Sequence, residues 1–162
     1  MANARVYLET SFFRYLVAQP SAEATKADRQ EITRLWWGRR RHEFSLRVSQ
    51  IVYDEFCTAR EPQIGADEAQ QRVLLLDEAE LLPLNRAILG LARLLLEPEG
   101  PLPAKAEADA LHWAVAAAYA CEYVLTWNYR HLNNAFIKRR AERIIRSHGY
   151  ESPTICTPEE LY

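Results

Sequence analysis

What this chain has little of narrows its class first. It has three cysteines, Cys57, Cys121 and Cys156, scattered without metal-ligand spacing. Cys57 and Cys121 fall in apolar helical patterns, where buried thiols are expected rather than ligands. An odd cysteine count and no signal peptide point to a reducing cytoplasm. The longest nearly apolar run, Leu111 to Cys121, is broken by His112 and followed by Glu122. It is too short for a transmembrane helix, so no membrane association is expected. There is no basic excess: the formal net charge is −2, which does not announce nucleic acid. Repeats and low-complexity segments are missing, and glycine is scarce, with five in 162 residues. What remains is a globular composition long enough to bury a substantial core, read as one domain over residues 1–162.

The most informative stretch runs from Lys105 to His131. From about Ala106 to Cys121 it contains neither Gly nor Pro, and after Asp109 it is apolar almost all round, as in a buried helix. Tyr123 to Trp127 (YVLTW) is β-branched and aromatic, and predicts a short buried strand. Two polar residues frame this unit, Asp109 near the helix start and Asn128 just after the strand. A carboxylate opening an apolar helix must be capped, paired or bound to a metal. Favourable electrostatics at the helix N-terminus is the plainer alternative.

The rest of the chain alternates strand and helix patterns. Arg5–Thr10 predicts a first strand with Val6 and Leu8 on one side and Tyr7 and Glu9 on the other. Thr10 and Ser11 offer a cap for the next helix, and Ser21 to about His42 predicts a long one ending in Arg39, Arg40 and Arg41. Phe44–Val48 alternates as a second strand. Ser49 can cap a helix to about Arg60, before the break at Glu61-Pro62. On that helix Val52, Phe56 and Ala59 form the apolar stripe. Glu55 falls within the stripe and Asp54 opposite, so Glu55 is the site candidate, with a buried ion pair to an arginine as the alternative. A helix over Ala66–Glu78, a strand over Glu80–Leu84 and a helix capped by Asn85 follow. Glu97–Pro103 (EPEGPLP) is expected to be the most flexible loop. Asn133 can cap a last helix that Gly149 stops, and Pro153–Thr157 is a candidate edge strand.

Short apolar strands alternating with helices predict an α/β sandwich with a parallel sheet, whose active crevice lies beyond the carboxyl ends of the strands. Glu9, Glu55, Asp109 and Asn128 would converge there, an oxygen-only set suited to Mg²⁺ or Mn²⁺ rather than Zn²⁺. Thr10, Ser11, His112, Thr126, Arg130 and His131 are supporting candidates. His112, one turn after Asp109, would orient a carboxylate if it is not simply structural. Arg130 and His131 are placed to touch phosphate. Between Arg130 and Arg146 lie six Lys/Arg and one Glu, a face that would track an RNA backbone or simply be solvated.

The segments YLETS (Tyr7–Ser11), SQIVYDE (Ser49–Glu55), KAEADALHWA (Lys105–Ala114) and LTWNYRHLNNA (Leu125–Ala135) together resemble PIN-domain nucleases, nearest to the VapC-like branch of bacterial type II toxin–antitoxin systems. The tail ICTPEEL (Ile155–Leu161) resembles the end of one PIN subgroup. The resemblance implies a three-layer α/β/α sandwich, often a homodimer, cutting RNA with Mg²⁺ or Mn²⁺, with a cognate antitoxin as partner. Glu9 stands where the family usually has its first Asp, and Glu55 and Asp109 match its next two acids. Asn128 stands where the last Asp is common, and Thr126 matches the hydroxyl residue two before it. For the homodimer, large apolar groups at Trp36, Trp37, Leu91, Leu94 and Leu95 are the candidates in sequence.

The function expected is therefore metal-assisted RNA hydrolysis by the toxin of such a pair. The alternatives are a PIN-like RNA- or protein-binding module with weakened catalysis, a nuclease acting on DNA or flapped structures, and a phosphatase-like hydrolase.

Overall fold

The computed structural model describes residues 2–57 and 65–162. Among them, β1 (Arg5–Leu8), β2 (Ser45–Ser49), β3 (Glu80–Leu82), β4 (Tyr123–Leu125) and β5 (Thr154–Cys156) form one sheet in the order β3-β2-β1-β4-β5. Every pairing is parallel; Val6 lies opposite Leu46 on one side and Tyr123 on the other. The helices are α1 (Thr10–Val17), α2 (Ala24–Arg39), α3 (Gln50–Phe56), α4 (Ala66–Leu76), α5 (Arg86–Leu95), α6 (Glu107–Ala118) and α7 (Ala135–Ser147).

Strand order explains the layers. The chain steps outward from β1 through β2 to β3, then returns to the far side of β1 for β4 and β5. Right-handed crossovers place the helices of the first run on one face and those of the second run on the other. The packing agrees: α1 contacts α2 and α3, and α3 contacts α4, while α5 contacts α6 and α7. The result is the expected α/β/α sandwich. Its order reverses between β1 and β4, and that switch point, beyond the strand ends, is where such sheets place their binding crevice. The strands beneath are buried on both faces, with Val6, Tyr7, Leu8, Val124 and Leu125 fully covered, as parallel sheets require.

Several local expectations shift. β1 stops at Leu8 because Glu9 becomes the N-cap of α1, its carboxylate accepting from the Ser11 amide. Asn134, not Asn133, caps α7, accepting from Phe136 and Ile137. The long helix from Ser21 is α2 from Ala24 to Arg39, followed by a 3₁₀ turn over Arg41–Glu43. The helix that follows Ser49 is α3, which ends at Phe56 with Cys57 as its C-cap, short of the expected Arg60; Ala59, Arg60 and the break at Glu61-Pro62 lie outside the described residues.

The Glu97–Pro103 loop is tied down rather than loose. The Glu97 amide donates to the Leu102 carbonyl, the Leu102 amide to Leu95, and the Gly100 amide to Leu96. Gly100 is buried against the end of α5, where a Cβ would lie 2.1 Å from the Leu95 carbonyl carbon, so only glycine fits. The apolar residues offered for a dimer are likewise mostly core. Trp36, Leu91 and Leu95 are buried, and Trp36 donates through Nε1 to the Leu161 carbonyl, pinning the tail. No helix among the described residues is long and apolar enough to cross a membrane.

Candidate active site

Glu9 and Glu55 reach the crevice from adjacent strands. Glu9 leaves the end of β1 and is 5% exposed. Its Oε2 accepts from the Ser11 amide at 3.1 Å, from the Ser11 hydroxyl, and from the Thr126 hydroxyl at 2.7 Å. A carboxylate so buried is tolerable only with this many donors. Glu55 projects from α3, which begins at the end of β2. Its Oε1 accepts from the Thr10 hydroxyl at 2.8 Å and contacts His112 Nε2 at 2.6 Å. Asp54 is exposed and accepts from Gln50, as the helical wheel requires of the outer neighbour.

His112 arrives from α6 and is 1% exposed. Its Nε2 lies 3.9 Å from Glu9 Oε1 as well as against Glu55. Its Nδ1 lies 2.7 Å from the Tyr7 hydroxyl, which is 2.7 Å from the Ser49 hydroxyl. Ligand atoms of Glu9, Glu55 and His112 all fall within 4.8 Å of one another. A buried imidazole bonded at both nitrogens cannot turn, so it fixes the carboxylate it holds.

Asp109 and Asn128 form a second, adjoining group. Asp109 lies one turn before His112 in the first turn of α6. Its Oδ1 accepts from Asn128 Nδ2 at 3.0 Å, and its Oδ2 contacts His131 Nδ1 at 2.7 Å. Asn128 Oδ1 accepts from the Arg130 and His131 amides, each at 3.1 Å. Those partners settle the amide's orientation: its oxygen closes the loop after β4 and its nitrogen grips Asp109. Thr126 joins the two groups, donating to Glu9 while accepting from the Asn128 amide at 2.9 Å. The Arg130 side chain is exposed on this loop.

The PIN domain family profile matches residues 6–137, from β1 into α7. The chain belongs to the PIN domain family. Among solved structures it is similar to the sarcin-ricin loop cleaving toxin VapC20 of Mycobacterium tuberculosis, with a TM-score of 0.56 at 15% identity over 90% of this chain and 95% of that one. It is also similar to VapBC2 of Rickettsia felis, solved bound to a DNA fragment from its promoter, with a TM-score of 0.54 at 18% identity over 84% and 92%. Identities this low speak for the fold alone. A sequence search of curated proteins returns no match.

Charge in this PIN domain's crevice is set by coupling. Burial works against an ionised Glu55, but the bond and charge of His112, with Thr10 and Arg14, outweigh it and hold the carboxyl below its ordinary range. Burial likewise works against a charged His112. The Glu55 bond and the Glu9, Glu55 and Asp109 carboxylates outweigh it and lift its pKa. Burial lifts the Tyr7 hydroxyl well above its usual range, against the Ser49 bond and with help from Glu9 and Glu55, so it stays protonated.

A stability prediction follows for metal-free protein. Glu55, with its pKa lowered, stabilises fully above the ordinary value of 4.5 and less as pH falls through its folded pKa. His112, with its pKa raised, stabilises fully below the ordinary value of 6.5 and less as pH rises through its folded pKa. In chelator, the thermal-midpoint difference between wild type and His112→Gln should therefore be largest between these two values and shrink on either side. A difference flat with pH would rule out the Glu55–His112 ion pair.

The same group includes residues that no sequence motif marks as site candidates. Tyr7 was legible as sharing a strand side with Glu9, and both reach His112. Ser49 was read as a helix cap, but its hydroxyl makes no capping bond and goes to Tyr7 instead. No local signal announces this, since the partners are 42 residues apart. His131 was placed for phosphate contact, yet its Nδ1 is spent on Asp109.

Proposed function

We propose that this PIN domain is an endoribonuclease dependent on Mg²⁺ or Mn²⁺, the toxin of a VapC-type toxin–antitoxin pair. The observation that carries the reading is the meeting of Glu9, Glu55 and His112 at the switch point, with Asp109 one turn away. The donor set suits a divalent ion, because two carboxylates in a preformed cluster are ligands that Mg²⁺ and Mn²⁺ accept. Glu9, Glu55 and Asp109 would hold it. When bound, such an ion supplies an activated water and neutralises charge on the phosphate. Thr10 and His112 hold Glu55, while Ser11 and Thr126 hold Glu9. Asn128 and His131 hold Asp109. The carboxylates are thus oriented before substrate arrives, which lowers the cost of assembling the site.

The structural likeness to VapC20, named for cleaving the sarcin-ricin loop, supports RNA as substrate. The likeness to a VapBC complex supports an antitoxin partner. A homodimer rests on the family resemblance, and a cytoplasmic location on the odd count of three cysteines. The competing reading is a binding module, favoured by Asn128 standing where an acid is common. Purified protein should be incubated with mixed tRNA and rRNA in Mg²⁺, in Mn²⁺ and in chelator. We expect cleavage with either ion and none in chelator. Undiminished cleavage in chelator would overturn the metal requirement, and no cleavage under any condition would favour the binding module.

A further inference from the structure

Beside the carboxylate site lies a group of rings around one cation. Arg29, on α2, places its guanidinium carbon 5.1 Å from the Tyr129 ring centroid, 5.5 Å from that of Trp127 and 6.0 Å from that of Tyr15. Trp127 is the anchor: it is 6% exposed and its Nε1 donates to the Thr33 hydroxyl at 2.8 Å. Tyr129 is the open face. It is 45% exposed, and its hydroxyl makes no hydrogen bond among the described residues. Arg29 bonds only the Tyr15 hydroxyl at 3.3 Å, and among the described residues it pairs with no carboxylate. A cation stacked on rings and held in no ion pair keeps attraction for an anion, here against the Glu159 and Glu160 charges that also reach Tyr129.

The position of this group is specific. Trp127 and Tyr129 bracket Asn128, and Thr126, one residue earlier, holds Glu9. At the other end of the same loop, Phe136 is 80% exposed beside Arg139, Arg140 and Arg143. The loop therefore carries an open aromatic ring with guanidinium groups at each end. We propose that this loop is a base-stacking platform for single-stranded RNA, with Tyr129 and Arg29 receiving an unpaired base and a phosphate next to the bond to be cut. The proposal rests on the ribonuclease reading and assigns the residues that would seat its substrate. Bases within a duplex are already stacked and cannot offer a face to Tyr129, whereas unpaired bases in loops or single strands can.

The test is binding of a fluorescein-labelled unstructured oligoribonucleotide and a blunt RNA duplex of equal length, by anisotropy in chelator. Wild type is compared with Tyr129→Ala, Tyr129→Phe, Arg29→Gln and Phe136→Ala, each checked for an unchanged melting temperature. Tyr129→Ala should weaken single-strand binding by about tenfold, within the range for one stacked base. It should leave duplex binding within about twofold, and Tyr129→Phe should restore wild-type affinity. Arg29→Gln and Phe136→Ala should each weaken single-strand binding. Unchanged single-strand affinity in Tyr129→Ala, or equal losses for both RNAs, overturns the platform. Should Tyr129→Ala melt early, Phe136→Ala decides by the same criteria, and unchanged single-strand affinity in Arg29→Gln also overturns the platform. Wild-type cleavage is scored separately. Binding that depends on Tyr129 without cleavage would remove the nuclease reading alone, and cleavage with Tyr129 immaterial to binding would remove the platform alone.

Discussion

Glu55→Gln should lower RNA cleavage by on the order of 10²–10³-fold, while Asp54→Asn beside it leaves cleavage within about twofold. The two residues are adjacent in sequence and opposite in space. Glu55 faces the crevice, held by Thr10 at 2.8 Å and His112 at 2.6 Å, within reach of Glu9. Asp54 is exposed and accepts from Gln50 at 2.9 Å. An amide at 55 keeps the volume and one acceptor oxygen but removes the charge that attracts a cation, leaving His112 without its ion-pair partner. Because the Glu55 side chain is about 30% exposed, its amide should still fold. Initial rates on a single RNA at saturating Mn²⁺, with circular dichroism as the control for folding, measure both variants. Equal losses would mean that the inner face of α3 is not the functional face.

The second large effect belongs to Asn128. Its amide nitrogen donates to Asp109 at 3.0 Å while its oxygen takes two loop amides. Asn128→Asp leaves the loop bonds intact and turns a second carboxylate oxygen toward Asp109. A hydrogen bond to a charged group, worth roughly 1.5–3 kcal/mol, is lost and replaced by repulsion. In chelator the variant should therefore lose about 2 kcal/mol, or about 4–8 °C in melting temperature for a chain of this size. A divalent ion between the two acids would relieve the repulsion, so Mn²⁺ should stabilise the variant more than wild type. From sequence, Asn128 is a candidate member of the oxygen set that would hold the ion. The structure gives its oxygen to the loop, so any gain in Mn²⁺ affinity would come from the added charge. Melting curves with and without Mn²⁺ measure both quantities. A variant as stable as wild type in chelator would mean that the bond to Asp109 contributes nothing.

How much of this was legible in the sequence depends on how far apart the partners lie along the chain. Periodicity within one element was enough to place Glu55 inward and Asp54 outward, and alternation put Tyr7 and Glu9 on one strand side. The α/β alternation indicated the parallel sheet, and the positions of Glu9 and Asn128 after strand patterns indicated the crevice. Contacts across elements left no local trace. His112 meets Tyr7 across 105 residues and Glu55 across 57, so its part in the site was indistinguishable from that of an ordinary core histidine. The oxygen-only set expected from sequence omitted this nitrogen. The Glu97–Pro103 loop misled because Gly and Pro signal irregular backbone, not motion. Here glycine permits close packing on α5.

The most direct test of the account is the chemistry at the cut ends. Two histidines near carboxylates, His112 and His131, invite a rival mechanism in which the RNA 2′-hydroxyl attacks its own phosphate without a metal. That route leaves a 2′,3′-cyclic phosphate and fails when the 2′-hydroxyl is removed. Glu9, Glu55 and Asp109 would hold an ion that activates water, and attack by that water would leave no cyclic phosphate and would tolerate a 2′-deoxy sugar at the cut. Mass spectrometry of fragments from an RNA and its 2′-deoxy counterpart, with Mn²⁺ and with chelator, separates the two. The account predicts cleavage of both substrates in Mn²⁺, no cyclic phosphate, and no products in chelator. Cyclic phosphate ends formed in chelator, with the 2′-deoxy substrate left intact, would contradict it.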